Sequence, residues 1–143
     1  MTDERTNTAY AAAVLRIALG LMFLAHGGLL KLGTFGLAGT MGYFGSIGYP
    51  PVLGVVVIAA EILGGLALIA GLSVRWVSLA LVPLMLGATL QHLGNGWVFT
   101  SAGGGWEFPV FWTVVLLVQA GLGAGAFALE GARRSGDGQA ATA

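Results

Sequence analysis

The sequence predicts an all-α integral membrane protein, a bundle of four transmembrane helices with a short interfacial helix between the first and second spans. Three observations carry this. Hydrophobic residues make up 57% of the 143-residue chain and charged residues only 8%, whereas soluble domains place charge at roughly a quarter of positions. Mean hydropathy is +0.88, and the apolar residues gather into four runs that each approach the roughly 20 residues needed to cross a bilayer core. Of the breaks between those runs, 33–51 and 94–108 are rich in glycine and aromatics, as membrane interfaces favour, and the third is a tight turn.

The composition also excludes classes of function. Six basic and six acidic residues cancel, leaving no polybasic patch for nucleic acid or an anionic surface. Without cysteine, the chain cannot itself carry out thiol–disulfide exchange, hold an iron–sulfur cluster through thiolates or attach haem through thioethers. There is no Ser/His/Asp elbow, no catalytic carboxylate pair and no nucleotide loop, which points to an accessory membrane subunit rather than a stand-alone enzyme.

Residues 1–9 are read as an N-terminal tail, residues 10–130 as the membrane domain and residues 131–143 as a flexible, disordered tail of small polar residues. The first span, 10–32, is broken only by Arg16, His26 and Lys31. It is read as a retained helix rather than a signal peptide, because two acids against one base precede it and the apolar run exceeds a typical h-region. In the segment 33–51, Leu37, Met41, Phe44 and Gly48 recur at helical spacing. That segment is too short to span, so an interfacial helix is expected, closed by Tyr49-Pro50-Pro51.

The second span, 52–72, has Glu61 as its only ionisable residue, and the turn 73–75 is short enough to force an antiparallel third span, 74–93. Pro83 should kink that span, which membrane helices tolerate when neighbours re-satisfy the freed carbonyl. The stretch 94–108 resembles a phosphate-cradling loop in glycine count alone. Lacking GxxxxGK[ST] and any strand–helix context, it is read as an interfacial loop anchored by Trp97 and Trp106. The fourth span is 109–129.

Four spans put both termini on one side with Arg5, Arg75, Arg133 and Arg134, against Lys31 on the other, so both termini are expected in the cytoplasm. Tyr43, Tyr49, Trp97, Trp106 and Trp112 gather near the outer interface and Trp76 near the inner one, as an aromatic belt. Glycines at Gly64-Gly65, Gly71 and Gly121-x-Gly123-x-Gly125 are spaced for close helix contact.

Polar residues fall at two levels. Counting about 1.5 Å of rise per residue from the span ends puts Arg16 and Glu61 within roughly 6–8 Å of one depth, which predicts a buried Arg16–Glu61 ion pair. Such a pair fixes helix register, or makes Glu61 a proton-carrying group. At the outer level His26, Lys31, Gln91, His92 and Glu107 all approach one depth. Imidazole and ammonium there could bind and protonate a quinone oxygen, which makes His26, Lys31 and His92 a candidate quinone pocket with Gln91 and Glu107 nearby. Paired histidines ligating a haem come second. A metal comes last, because no His-x₃-His or similar pair pre-sets its geometry, and no metal site is expected.

The first span reads Arg16-x₃-Gly20-x₂-Phe23-x₃-Gly27-x₃-Lys31. Gly48-Tyr49-Pro50 follows, then Glu61-x₂-Gly64-Gly65-x₂-Leu68-x₂-Gly71 and a basic residue at Arg75. With the close Gly121-x-Gly123-Ala124-Gly125-x₃-Leu129-Glu130, the chain from about Leu15 to Glu130 resembles the DoxX family of small four-helix membrane proteins. The resemblance implies a bundle in the bacterial cytoplasmic membrane with Arg16, Lys31, Glu61 and His92 on matching polar positions. It also implies redox work, since relatives include the membrane subunit of a thiosulfate:quinone oxidoreductase and assemblies with enzymes of oxidative stress and sulfur metabolism.

The leading expectation is therefore a membrane subunit or adaptor of a redox or stress-related complex, in contact with the lipid bilayer and with protein partners or further copies of itself. The alternatives are a non-catalytic scaffold that recruits soluble enzymes through its termini, and a small-solute or proton transporter built on Glu61.

Overall fold

The computed structural model describes residues 2–130. The tail expected to be disordered, with Arg133 and Arg134, lies outside the described residues. Helix α1, Thr2–Leu24, continues without a break into a π-helical stretch, Ala25–Thr34. Helix α2 is Gly36–Ser46, α3 is Val52–Ala70, α4 is Val74–His92 with a 3₁₀ turn at Leu93–Asn95, and α5 is Glu107–Leu122. Three of these rods, Asp3–Thr34, Val52–Ala70 and Val74–Asn95, are long and apolar enough to cross a membrane, and the shorter apolar α5 completes the bundle. Among the described residues there is no strand.

The first rod is longer than its apolar run. The segment expected to be a tail is helical from Thr2, with Asp3 and Glu4 in the first turn, where acidic side chains complement the positive end of the helix dipole. At the other end Gly27 and Gly28 sit in the π-helical stretch, where each hydrogen bond spans one residue more than in an α-helix: Phe35 N–H reaches Leu30 O at 3.0 Å.

Helix α1 packs against α3 through backbone. A Cβ placed on Gly20 would lie 2.7 Å from Gly65 O, one on Gly65 would lie 2.8 Å from Gly20 O, and one on Gly27 would lie 2.8 Å from Glu61 Cβ. Small residues at such a contact let helices approach closely where lipid supplies no hydrophobic drive for association. Helix α2 lies across the start of α3, with Phe44, Met41 and Thr40 around Gly54. Leu19, Phe23, Leu68, Val74, Leu81, Met85, Trp112 and Leu116 form the apolar core, and the Phe23 and Trp112 rings stand 4.7 Å apart.

Helix α3 stops because Gly71 takes a left-handed conformation (φ +70°). Leu72 N–H then bonds Ala67 O at 2.9 Å and Gly71 N–H bonds Leu68 O at 3.1 Å, the paired bonds that satisfy a helix's last carbonyls. The last helix differs from expectation. Rather than running to Leu129, α5 ends at Leu122, and Gly123 (φ +78°) and Gly125 (φ +68°) turn the chain across the end of the bundle. There Ala126 N–H bonds Ala9 O at 2.9 Å and Glu130 N–H bonds Gly71 O at 3.1 Å. A Cβ on Gly125 would sit 2.5 Å from Ala9 O, so these glycines serve a turn and a close crossing rather than a helix–helix contact.

The α1–α3 seam should be intolerant of bulk. Gly65→Leu should lower stability in detergent by about 2 kcal/mol through overpacking, whereas Gly42→Ala, with open space around it, should be neutral or slightly stabilising. Denaturant titration followed by circular dichroism checks both, and equal stability of Gly65→Leu and the parent would contradict the close contact.

Candidate functional site

The register of α1 on α3 decides which ionisable groups meet. With Gly20 packed beside Gly65 and Ile69, Arg16, four residues earlier, lies at or beyond the level of Ile69. Glu61 lies eight residues before Ile69 in α3, a separation of about 12 Å at helical rise. The Arg16–Glu61 ion pair expected from depth is therefore not formed. Depth counted from the ends of the apolar runs misses this, because α1 extends past its apolar run.

Glu61 instead pairs with Lys31. Lys31 Nζ donates to Glu61 Oε1 at 2.8 Å, with the lysine side chain 22% exposed and the carboxylate side chain 4% exposed. Helical side chains lean toward the N-terminus, so Lys31 reaches back over Gly27, whose missing side chain leaves the space that Glu61 enters. Thr40 Oγ1 of α2 donates to Lys31 O at 2.9 Å and fixes the lysine backbone. Glu61 Oε2 is buried and has no hydrogen-bond partner among the described residues.

His26 belongs to the same neighbourhood. It lies within electrostatic reach of Glu61, and its ring packs edge-on against Trp112 at 4.9 Å. Its Nδ1 lies 2.9 Å from Met22 O. A carbonyl can only accept, so Nδ1 carries the proton and Nε2 is left as the free ring nitrogen. Trp112 is 4% exposed, and its Nε1–H is likewise buried without a partner among the described residues. Lys31, Glu61, His26 and Trp112 thus form one polar cluster in the interior, with hydrogen-bonding capacity unspent.

Arg16 is fully buried and bound to backbone only. Its Nε donates to Ala124 O at 3.0 Å, one terminal nitrogen to Leu68 O and Ile69 O at 2.6 Å each, and the other to Ala126 O at 3.1 Å. The two α3 carbonyls lie in the helix's last turn, where intrahelical partners run out. The other two belong to the crossing segment after α5, so one guanidinium joins α1, α3 and the C-terminal crossing.

The rest of the outer cluster disperses. His92 Nδ1 meets Gly103 O and Gly104 O at 3.0 Å, Glu107 Oε1 accepts from Phe99 N–H at 2.9 Å, and Gln91 Nε2 donates to Tyr49 Oη at 3.2 Å. The first two sets of contacts order the 96–106 loop, and the third ties α4 to the turn between α2 and α3. His26 and Lys31 are the members that meet at the interior cluster, and Glu61 and Trp112 join them there. Trp76, 71% exposed, and Trp97, 56% exposed, face outward as an aromatic belt would have them, but Trp112 is core. Its place was legible in the inward spacing Trp112-x₃-Leu116-x₂-Gln119, all three buried.

The sequence signature of the DoxX family matches residues 11–94, more than half of the chain. The chain belongs to the DoxX family. Being a DoxX protein with apolar rods of spanning length, it is a multi-pass membrane protein. The match contains Arg16, Lys31, Glu61, Arg75 and His92 and ends before the 96–106 loop and α5. Its spacing now has a physical reading: Gly20, Gly27 and Gly65 bring two DoxX helices into backbone contact, and Lys31 and Glu61 meet across that seam. No curated protein and no solved structure matches the chain.

Breaking one side of the pair should cost more than removing both. Lys31→Met strands a buried carboxylate and should lower stability by about 3 kcal/mol or more, and Lys31→Met with Glu61→Gln should recover part of that loss. A double-mutant cycle on detergent-solubilised protein measures the coupling; strictly additive losses would show that the two side chains do not act together. Arg16→Met should be at least as damaging as Lys31→Met, because it removes the side-chain donor of Ala124 O, Ala126 O and Ile69 O, and leaves Leu68 O with the Gly71 N–H bond only.

Proposed function

We propose that this DoxX protein is an accessory membrane subunit of a redox complex in the bacterial cytoplasmic membrane, with both termini in the cytoplasm, and that it receives a quinone headgroup at His26, Lys31 and Glu61 beside Trp112. The observation that carries the reading is the unpartnered Glu61 Oε2 next to a partly exposed ammonium. Elsewhere the ionisable groups of the bundle, Arg16, Arg75, His92, Glu107 and Glu130, have bonds to backbone, as purely structural polar groups in a membrane do. The π-helical stretch that presents His26 and Lys31 adds support, since such departures from α-helical geometry concentrate at functional sites.

The residues fit the group. Lys31 has donors to spare beyond its bond to Glu61, His26 keeps a free Nε2, and Trp112 offers an unused N–H at the edge of an apolar wall made with Phe23 and Phe108. A quinone supplies a two-electron acceptor that takes up protons on reduction. The chain's own part is to hold the headgroup oxygen with Lys31 and to relay protons through His26, whose free Nε2 takes up a proton before passing it on, backed by the Glu61 carboxyl. Electrons would come from a partner enzyme that the subunit anchors. His92, held by the loop carbonyls, is outside this site.

The test is quinone content after gentle purification from native membranes, measured by lipid extraction, with co-purifying proteins identified by mass spectrometry. Lys31→Met and His26→Ala should lose most of the bound quinone while His92→Ala keeps it. Full retention in the first two variants overturns the site and leaves a non-catalytic scaffold.

A further inference from the structure

We infer that the Glu61 carboxyl exchanges protons with one end of the bundle only, the loop end that carries α2 and residues 96–106, and is sealed from the end where the chain termini lie. The inference rests on the reading of the Lys31–Glu61 pair as a working site and adds its direction of access.

On the loop side, a partly exposed ammonium leads directly to the carboxyl. The Lys31 side chain is 22% exposed and holds Glu61 Oε1, while Oε2 is buried with no partner among the described residues. His26 and Trp112 Nε1–H lie at the same depth with free hydrogen-bonding capacity. A buried oxygen and a buried N–H left bare this close to a partly exposed ammonium are what water reaching the cluster would satisfy, since buried polar atoms in hydrocarbon otherwise cost several kcal/mol.

On the terminal side two barriers stand in series. Phe23, Leu68 and Leu116 at 0% exposure and Leu81 at 3% form an apolar layer. Beyond it Arg16 is spent on four carbonyls, two of them from the chain crossing the bundle end. Two further unpartnered polar atoms, Ser78 Oγ and Gln119 Oε1, lie beyond the apolar layer, one turn toward the termini from Leu81 and Leu116 respectively, so they do not extend the loop-side path through it.

The charged groups facing Glu61 are Lys31 and His26, both from the first rod. Helix α2 carries no charge, α4 carries only Arg75 and His92 near its two ends, and α5 has Glu107 at its start, bonded to Phe99 N–H. The step is a protonation: the carboxylate takes a proton from loop-end water to become the acid and returns it to the same side. No charge crosses the membrane, which separates this site from a transporter's.

The chain has no cysteine, so single-cysteine variants of the full protein report access directly. Glu61→Cys and His26→Cys are reconstituted in synthetic lipid vesicles free of quinone and treated with a membrane-impermeant thiol reagent from either side. Asn7→Cys and Thr100→Cys mark the terminal and loop ends. Labelling at position 61 should be at least tenfold faster from the loop side, and position 26 should follow it. Equal or faster labelling from the terminal side overturns the inference in favour of a through-path, and no labelling from either side overturns it in favour of a sealed structural pair. If Glu61→Cys does not assemble, His26→Cys decides by the same outcomes. Because no quinone is present, this result is independent of whether quinone binds.

Discussion

The backbone contact between the first rod and α3 is the constraint from which the rest of the interior follows. Gly20 and Gly65 let the two helices approach until carbonyl oxygens would meet any added methyl group, and that approach sets their relative height. Once the height is set, Arg16 can reach only the end of α3, and Glu61 comes opposite Gly27 and under Lys31. Neither pairing is a free choice of side chains. In lipid, where apolar contact between helices is no better than contact with lipid tails, close packing and satisfied polar groups decide the register together.

The two cations of the first rod's spanning part, Arg16 and Lys31, do different work because their surroundings differ. Arg16 spends its hydrogen bonds on carbonyls, fixed dipoles that cannot gain or lose a proton, with the Glu130 carboxylate acting on it only through space, and its planar fork of five donors suits several acceptors at once. The arginine therefore acts as a rivet at the point where α1, the end of α3 and the crossing segment after α5 converge. Lys31 meets one oxygen of a carboxylate and leaves the other oxygen bare. Two titratable groups in contact, one partly exposed, make a site whose charge can change, and that difference is why function is placed there.

Much of this was legible in the sequence. Four apolar runs, the short interfacial helix and the spacing of Gly20, Gly27 and Gly65 follow from local pattern, since period and composition report which residues can share a helix face. Lys31 and His26 stood out as candidates because ionisable side chains are rare and costly within a span. Their partners could not be read. Depth counted from the ends of apolar runs pairs Glu61 with Arg16, whereas the first rod extends from Thr2 to Thr34 and sets a different height. His92 and Glu107 lie near the right depth, but depth says nothing about which way a side chain faces, and loop backbone claims both.

By itself the sequence determined that this is an all-helical membrane protein, how many apolar rods it has and which few residues carry charge into them. Those properties follow from composition and from the 3.6-residue period of a helix, which are local. The tertiary structure alone decided that Lys31 rather than Arg16 neutralises Glu61, that Trp112 is interior rather than interfacial, and that the last glycines fold the chain over Arg16. These depend on the height and rotation of one helix against another, which are fixed by contacts between residues far apart in the chain.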